Sequence, residues 1–367
     1  MTIGVLKEPS FETRVSLLPE AVATLTKKGI NVIVEMGAGL AAYSNDEEYI
    51  KAGASINNPG ELVSNADVVL SIQHPSLTIP ASKIVLGVYQ PLYNVSLMKE
   101  WATQKITSFS LDMLPRTTRA QSMDVLSSQA NIAGYKAVLL AANLYSRYFP
   151  MFMTAAGSIA PAKLLILGAG VAGLQAIATA KRLGAVVEVF DTRPAVKEEV
   201  MSLGAKFIEV EGAADASKAG GYAVEQSAAF LQKQKAKIEE SIARADIVIT
   251  TAQIPGKKAP ILITAEMINA MRSGSVIIDI ASATGGNTEL TKNNETVVHN
   301  GIRIVGNSAL AATLPSDASK LYGKNVLNFL QLIIDKEGKL NVNWEDDLVK
   351  GSCITHNGEI VNERVRS

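Results

Sequence analysis

The sequence predicts an α/β protein of two domains, each with a mostly parallel sheet covered by helices on both faces. Short apolar runs rich in Val and Ile alternate with stretches of helical periodicity along most of the 367 residues. This alternation is typical of doubly wound sheets. A glycine-rich turn also joins one apolar run directly to a helix at residues 168–173. We therefore predict two Rossmann-like domains.

The N-terminal third accounts for the first domain. Several of its helices begin after Ser, Asn or Asp or end at Gly, as helix boundaries commonly do. Strands are predicted at 3–6, 32–36, 68–72, 84–88 and 106–111, and helices at 19–28, 46–52 and 95–104.

The middle of the chain predicts a second sheet of six strands. A long helix at 127–148 precedes it, and Pro194 begins a further helix after the second strand. The strands are predicted at 164–167, in the run that ends on Asp191, and at 206–210, 247–251, 276–280 and 302–305.

Residues 163–193 form a strand–helix–strand unit with glycines at its turn. Gly168 permits a tight turn, Gly170 leaves room for a pyrophosphate, and Gly173 lets helix and strand pack closely. The N-terminus of the helix offers free N–H groups to the phosphates. The unit therefore predicts dinucleotide binding; glycines that serve packing alone are the alternative.

An acid at the end of the second strand indicates which dinucleotide binds. Asp191 would accept hydrogen bonds from both ribose hydroxyls and would repel a 2′-phosphate. We therefore predict NAD(H). Arg193 leaves NADP(H) open, because a nearby Arg can accommodate a 2′-phosphate.

The end of the chain suggests how the domains are connected. A helical stretch at 316–334 has no predicted sheet after it, so it must pack on an earlier segment of the chain. We predict that residues 1–126 plus 316–367 form the first domain. Residues 127–315 form a dinucleotide-binding domain inserted into it, with linking helices at its edges. A cleft between the domains would then hold the nicotinamide.

Composition excludes several classes of function. Lys plus Arg and Asp plus Glu both total 35, so no basic surface is expected to recruit nucleic acid or an anionic membrane. One cysteine excludes an internal disulfide and suits a reducing cytosol. The most apolar region, 164–180, is broken by glycines and explained by the dinucleotide unit, so we predict no membrane span. Three scattered histidines predict no metal site.

Longer matches identify a family. The segment PRTTRAQSMDVLSSQANIAGY at 115–135 closely resembles the NAD(H)-binding domain of proton-translocating NAD(P) transhydrogenases, which are related to alanine dehydrogenases. The resemblance covers nearly the whole chain. It includes KEP and ETRV near the N-terminus, GAGVAGLQAIATAKRLGA from residue 168, FDTRPAVKEE from 190, GGYA from 220, IPGKKAP from 254 and MRSGSVIIDIA from 271.

The resemblance implies roles for particular residues. The loop before the long helix would orient the nicotinamide without a general acid or base, through Arg116, Gln121, Asp124 and Ser127. The residues alone, without the resemblance, favour a polar interdomain loop with a helix cap for the segment 116–124. Further cofactor contacts would be Val171, Asp191, Arg193, Gln234, Ala252 and Gln253, with Gly221 and Tyr222 at the tip of a mobile loop. The composition of 211–221 by itself favours neither a lid nor a passive surface loop.

Alanine dehydrogenase is the main alternative, because it shares the fold and the cofactor. Its reaction requires a proton shuttle and cations that hold a carboxylate. Where that family has Lys, His and Asp, this sequence has Gln73, Gln90 (or its neighbour Tyr89) and Ala283. Arg14 is retained, but one cation does not make a substrate site. Hydride transfer between two nicotinamides needs no proton chemistry, only two rings held face to face without water.

The resemblance therefore implies the NAD(H)-binding subunit of a transhydrogenase. It would pass hydride from NADH to NADP⁺ on a partner, coupled to proton translocation. NADP(H)-binding and membrane-spanning subunits must then come from other chains. The family further implies a homodimer docked on the cytoplasmic face of the membrane. A non-catalytic NAD(H)-binding sensor remains a third hypothesis.

Overall fold

The chain divides into two compact units. A computed structural model describes residues 1–212 and 227–366. Unit one comprises Met1–Gln129 and Ala311–Ser367, and unit two comprises Ala130–Leu310. The chain enters unit two once and leaves it once, so unit two is inserted into unit one. The predicted α/β class is confirmed, with one large, mostly parallel sheet in each unit.

Alternating strands and helices build the N-terminal segment. Asn45 begins the second helix with a capping box, since its side chain accepts the N–H of Glu48 and the Glu48 side chain accepts the N–H of Asn45. Strands β1–β6 span Thr2–Val5, Asn31–Glu35, Ser55–Asn57, Val68–Leu70, Ile84–Gly87 and Thr107–Ser110. Helices α1–α5 span Pro19–Thr26, Asp46–Lys51, Pro59–Asn65, Val95–Thr103 and Val125–Leu144.

The described portion of unit two contains a sheet of seven strands where six were predicted. The additional strand, β14 (Glu295–His299), pairs antiparallel with β15 (Ile302–Gly306) at the edge. A small hairpin, formed by β7 (Phe152–Thr154) and β8 (Gly157–Ile159), was also not predicted. Strands β7–β15 span Phe152–Thr154, Gly157–Ile159, Lys163–Leu167, Val186–Phe190, Lys206–Phe207, Ile247–Thr250, Val276–Asp279, Glu295–His299 and Ile302–Gly306. Helices α6–α9 span Val171–Arg182, Lys197–Ser202, Ala228–Ile242 and Ala265–Asn269.

The C-terminal segment returns to unit one. Helix α10 spans Pro315–Leu330, followed by α11 (Asp347–Ser352), β16 (Cys353–His356), β17 (Glu359–Ile360) and α12 (Glu363–Arg366). Strands β16 and β17 were not predicted. They form no new sheet but extend the first one, because β16 pairs antiparallel with β6 and β17 with β16. Strands of four and two residues are too short to show a period in the sequence.

Both sheets follow the Rossmann strand order. In unit one the order is β17-β16-β6-β5-β4-β1-β2-β3, and in unit two it is β11-β10-β9-β12-β13-β15-β14. The order reverses between β1 and β4 and between β9 and β12. Ligands of such sheets bind outside the carboxyl ends of the strands at this switch point. Each unit therefore has one preferred place for a site.

Apolar side chains cover both faces of each sheet. Along β9, Leu164 and Ile166 pack in one cluster and Leu165 and Leu167 in the cluster on the opposite face. This alternation is the period of two expected of a strand. In unit one, α10 buries Tyr322, Val326, Phe329 and Leu330 against the sheet. Among the helices that the structure describes, none is long and apolar enough to cross a membrane.

Candidate functional site

The glycine-rich turn lies at the switch point of unit two, between β9 and α6. Gly168 has φ +107°, a left-handed conformation that side chains disfavour. A Cβ at Gly173 would lie 1.9 Å from the carbonyl oxygen of Gly168, so only glycine fits there. A Cβ at Gly170, by contrast, would meet no atom within 4 Å. The turn therefore leaves open space at the residue where a pyrophosphate would pass.

Helix α6 begins beside this space. Gly170 is its N-cap and offers no side-chain cap to the first N–H groups of the helix. Val171, the first helical residue, is exposed. Unpaired N–H groups and the positive end of the helix dipole are what a phosphate group requires. These features fit the pyrophosphate of a dinucleotide.

Asp191 directly follows β10 and is nearly buried, with a side chain 5% exposed. Its Oδ1 accepts the backbone N–H and the Nε of Arg193, both at 2.8 Å. Its Oδ2 accepts the N–H of Ala169 and the Nη2 of Arg193, both at 2.7 Å. This hydrogen bonding to Asp191 raises the pKa of Arg193. The four acceptor sites of the carboxylate are thus all in use, and ribose hydroxyls would have to replace donors of Arg193.

A third loop borders the turn. Thr251 follows β12 and donates its Oγ1–H to the carbonyl of Gly168 at 3.1 Å. The next residue, Ala252, is half-buried and is hydrogen-bonded to the side chain of Asn287. Gln253 is exposed, with its Nε2 3.4 Å from the carbonyl of Ile280. The carboxyl ends of β9, β10 and β12 therefore bring the glycines, Asp191 and Ala252 to one edge of the sheet.

The remaining predicted contacts in unit two are a buried amide and a loop. Gln234 lies on α8 and is buried, and its Oε1 has no hydrogen-bond partner among the atoms of the described chain. An orphaned buried acceptor of this kind costs free energy. Gly221 and Tyr222 lie outside the described residues, as does most of the predicted lid at 211–221.

The predicted nicotinamide residues lie in unit one, around the start of α5. Arg116 and Gln121 are exposed, whereas Asp124 and Ser127 are half-buried. Asp124 caps the helix: its Oδ1 accepts the N–H of Ser127 at 2.9 Å and its Oδ2 accepts the Ser127 hydroxyl at 2.6 Å. The helix-cap interpretation of this segment is therefore correct, and it is compatible with a role in orienting a ligand.

Two asparagines of α10 hold this loop. Asn325 and Asn328 both donate their Nδ2–H groups to the carbonyl of Ser122, at 2.8 and 2.9 Å. Asn325 also accepts the hydroxyl of Ser128 at 2.8 Å. Arg119 pairs with Asp346, the N-cap of α11. These anchors fix the backbone between Arg119 and the first turn of α5.

A buried charged cluster occupies the switch point of unit one. Arg14 donates its Nε and Nη2 to the two oxygens of Glu12 at 2.7 and 2.6 Å and its Nη1 to Gln129. Burial acts to raise the pKa of Glu12, but the hydrogen bond and charge of Arg14 hold it below its usual value. Gln73 donates its Nε2–H to Glu12. Glu8 accepts the N–H groups of Ile72 and Gln73 in the same place.

The raised pKa of Glu8 predicts a pH-dependent stability. Burial raises the pKa of Glu8 to about 7, despite the two N–H groups that it accepts. The folded chain thus binds this proton more tightly than the unfolded chain, so stability falls as pH rises from about 4.5 to 7. We expect Glu8→Gln to flatten this slope in urea unfolding measured between pH 5 and 8. An equally steep slope in the variant would show that another group titrates.

Sequence reasoning missed three residues that fix these loops: Thr251, Asn287 and Asn325. Each acts through a side-chain contact with main chain distant in sequence, and such contacts leave no local pattern. For Asn287 a weak signal existed, because it follows Gly285 and Gly286 shortly after the acid that ends β13.

Comparisons with known proteins agree with this architecture. The family models described as "Alanine dehydrogenase/PNT, N-terminal domain" and "Alanine dehydrogenase/PNT, C-terminal domain" match residues 4–133 and 137–363. A relative from Rickettsia prowazekii, named as the first portion of NAD(P) transhydrogenase subunit alpha, is 46% identical over 376 residues, covering 100% of this chain and 97% of the relative. A crystal structure of transhydrogenase from Sinorhizobium meliloti superposes with a TM-score of 0.89 and 44% identity, over 98% of this chain and 100% of that one. An alanine dehydrogenase of Staphylococcus saprophyticus is 27% identical over 378 residues, covering 100% of this chain and 96% of that one.

Proposed function

Because the chain belongs to the alanine dehydrogenase/PNT family, we propose that it is the NAD(H)-binding subunit of a proton-translocating NAD(P) transhydrogenase. It passes hydride from NADH to NADP⁺ bound on a partner subunit, and this transfer is coupled to proton translocation. One structural observation carries the cofactor assignment: the glycine turn, an exposed helix N-terminus and Asp191 meet at one sheet edge. The relative named as the first portion of NAD(P) transhydrogenase subunit alpha is 46% identical to this chain, whereas the alanine dehydrogenase is 27% identical.

The residues of this chain bind and orient the cofactor. The turn at Gly168–Gly173 holds the pyrophosphate, and Asp191 holds the adenosine ribose. Arg116, Gln121, Asp124 and Ser127 orient the nicotinamide. NAD(H) supplies the hydride chemistry when it is bound, so catalysis by the protein consists of positioning.

The cluster in unit one supports this reaction over that of an amino-acid dehydrogenase. Gln73, where alanine dehydrogenases have a Lys by the resemblance described above, is a neutral amide bonded to Glu12. Tyr89 is buried and shares a hydrogen bond with Ser71. The guanidinium of Arg14 is held in two hydrogen bonds by Glu12. A proton shuttle and a second cation for a substrate carboxylate are therefore missing among these residues.

The subunit name of the relatives describes one component of a multi-subunit enzyme. We propose that this chain works with an NADP(H)-binding subunit and a membrane-spanning subunit. It would be held through them at the cytoplasmic face of the membrane. Its balanced charge gives no electrostatic reason to bind lipid directly.

We further propose a homodimer formed through the β7–β8 hairpin. Each strand has three residues, all exposed, and an isolated hairpin of this size is marginally stable in water. Its apolar side chains include Phe152, Ile159 and Met153, which is 73% exposed. A second copy that covers this hairpin would account for its composition.

Met153→Asp is expected to convert the dimer to a monomer, because a charge would replace an apolar contact at the interface. Sedimentation equilibrium measures the mass directly. The control is Val298→Asp, which puts the same charge at a 64% exposed apolar residue on the edge strand β14 and should leave the mass unchanged. A wild-type monomer, or an undisturbed dimer in the Met153 variant, contradicts the proposal.

One assay tests the function. The purified chain is mixed with NADH and an isolated NADP(H)-binding component of a transhydrogenase, and hydride transfer to an NADP⁺ analogue is followed. A parallel sample contains alanine and NAD⁺. We expect transfer that requires both proteins and no alanine oxidation. NADH formation from alanine by this chain alone would favour the dehydrogenase, and NADH binding without transfer would favour a sensor.

A further inference from the structure

Asn287 makes an unusual set of contacts with the loop that follows β12. It is fully buried. Its Oδ1 accepts the N–H of Ala252 at 3.0 Å, and its Nδ2 donates to the carbonyl of the same residue at 2.9 Å. A second Nδ2 bond reaches the carbonyl of Pro260 at 2.9 Å. One side chain thus satisfies both main-chain groups of Ala252, in the way that a neighbouring strand would.

Asn287 is itself held in place by the acid that ends β13. The Oδ2 of Asp279 accepts the N–H of Asn287 at 2.6 Å and the hydroxyl of Thr291 at 2.7 Å. Its Oδ1 accepts the N–H of Ala281 at 3.0 Å. Gly286 has φ +79° at this point, and a Cβ there would lie 2.7 Å from Oδ2 of Asp279. The loop between β13 and Asn287 is therefore tightly defined.

The same contacts reach the glycine-rich turn. Thr251 precedes Ala252 and donates to the carbonyl of Gly168. A Cβ built at Gly168 would lie 2.3 Å from the Thr251 hydroxyl and 3.6 Å from the nitrogen of Ala252. A shift of Ala252 would therefore move Thr251 and disturb the glycine-rich turn that follows β9.

We propose that Asn287 is a positioning residue for the cofactor. It fixes Ala252, and through Thr251 the turn at Gly168, in the conformation that receives the pyrophosphate and the nicotinamide half of NAD(H). This inference rests on the proposed function. The adenosine ribose is assigned to Asp191, which directly follows β10 on the opposite side of β9. The contacts of Asn287 are therefore expected to affect binding of the ribose less than binding of the pyrophosphate.

This asymmetry provides the test. We expect Asn287→Ser to weaken NADH binding about tenfold, since two or three hydrogen bonds that define the loop are lost. Binding of adenosine, which has no phosphate to place at the turn, should change less than about twofold. Thr251→Val removes the hydroxyl that donates to the carbonyl of Gly168. It should likewise lower the ratio of NADH affinity to adenosine affinity. Both dissociation constants are measured by titration calorimetry, with thermal unfolding recorded for every variant.

The matched control is Asp246→Asn. Asp246 is a buried acid at the amino end of the same strand β12, where it accepts the N–H of Lys163 at 2.9 Å. Its replacement should lower the unfolding temperature but leave the ratio of NADH affinity to adenosine affinity at the wild-type value. A ratio unchanged in both Asn287→Ser and Thr251→Val overturns the inference. If Asn287→Ser does not fold, Thr251→Val decides alone. Failure of wild-type protein to bind NADH would instead overturn the proposed function.

Discussion

Asp191→Ala is expected to weaken NADH binding about a hundredfold. The carboxylate is assigned two hydrogen bonds to the ribose hydroxyls, and bonds to a charged group contribute about 1.5 kcal/mol or more each. A loss of about 3 kcal/mol corresponds to a factor of about 100 in the dissociation constant. The quenching or enhancement of NADH fluorescence on titration measures this constant.

The discrimination between cofactors should fall in the same variant. The negative charge that repels a 2′-phosphate is gone, and Arg193 is released from its salt bridge and can pair with that phosphate. NADPH should therefore lose much less affinity than NADH. Glu188→Ala is the control, because it removes a carboxylate from β10, the strand that Asp191 follows. In the described structure, the ion pairs of this carboxylate are with the surface cations Lys206 and Arg244. An unchanged NADH titration for Asp191→Ala would remove this residue from the site.

Asp124→Asn is expected to slow hydride transfer at least about tenfold, which is about 1.4 kcal/mol in activation free energy, while NADH affinity changes less than about threefold. Asn is as good an N-cap as Asp, so α5 should still begin at Val125 and the bond to Ser127 should persist. What changes is the charge at the position that we propose for the nicotinamide. Single-turnover transfer in the presence of the NADP(H)-binding component separates this rate from binding.

Two further variants make that result specific. Asp124→Ala should also lose about 1 kcal/mol of stability, because the cap is removed. Asp67→Asn makes the same change of charge at the amino end of β4, where Asp67 accepts the N–H of Thr2, and should leave the transfer rate unaltered. A larger effect of Asp124→Asn on the dissociation constant than on the rate would contradict an orienting role.

The dinucleotide turn could be predicted because its requirements are local. The glycines, the helix that follows and the acid at the end of the next strand lie within one strand–helix–strand unit, and each answers to a steric or electrostatic need. The pairing of Asp191 with Arg193 was not predicted, although the two are only two residues apart. Sequence gives the spacing of these groups, but the choice between an internal salt bridge and an open acceptor depends on side-chain conformation.

Long-range contacts explain what the sequence did not reveal. Asn287 meets Ala252 across 35 residues, and no periodic pattern connects an asparagine in one loop with the main chain of another. Strand β16 carries the sequence CITH, too short for its alternation to stand out. Its place beside β6 depends on hydroxyl pairs such as Ser108 with Thr355, which are visible only after the chain has folded.

The return of the chain to its first sheet has a consequence for synthesis on the ribosome. Ser108 pairs with Thr355 across 247 residues, and Thr107 contacts His356 across 249. The inserted unit is therefore complete before the outer strands of the first sheet have been translated. Until then β6 is an open edge with unpaired polar groups, and such edges invite pairing with other chains. A nascent chain that ends before residue 353 should accordingly need a chaperone more than the full-length chain does.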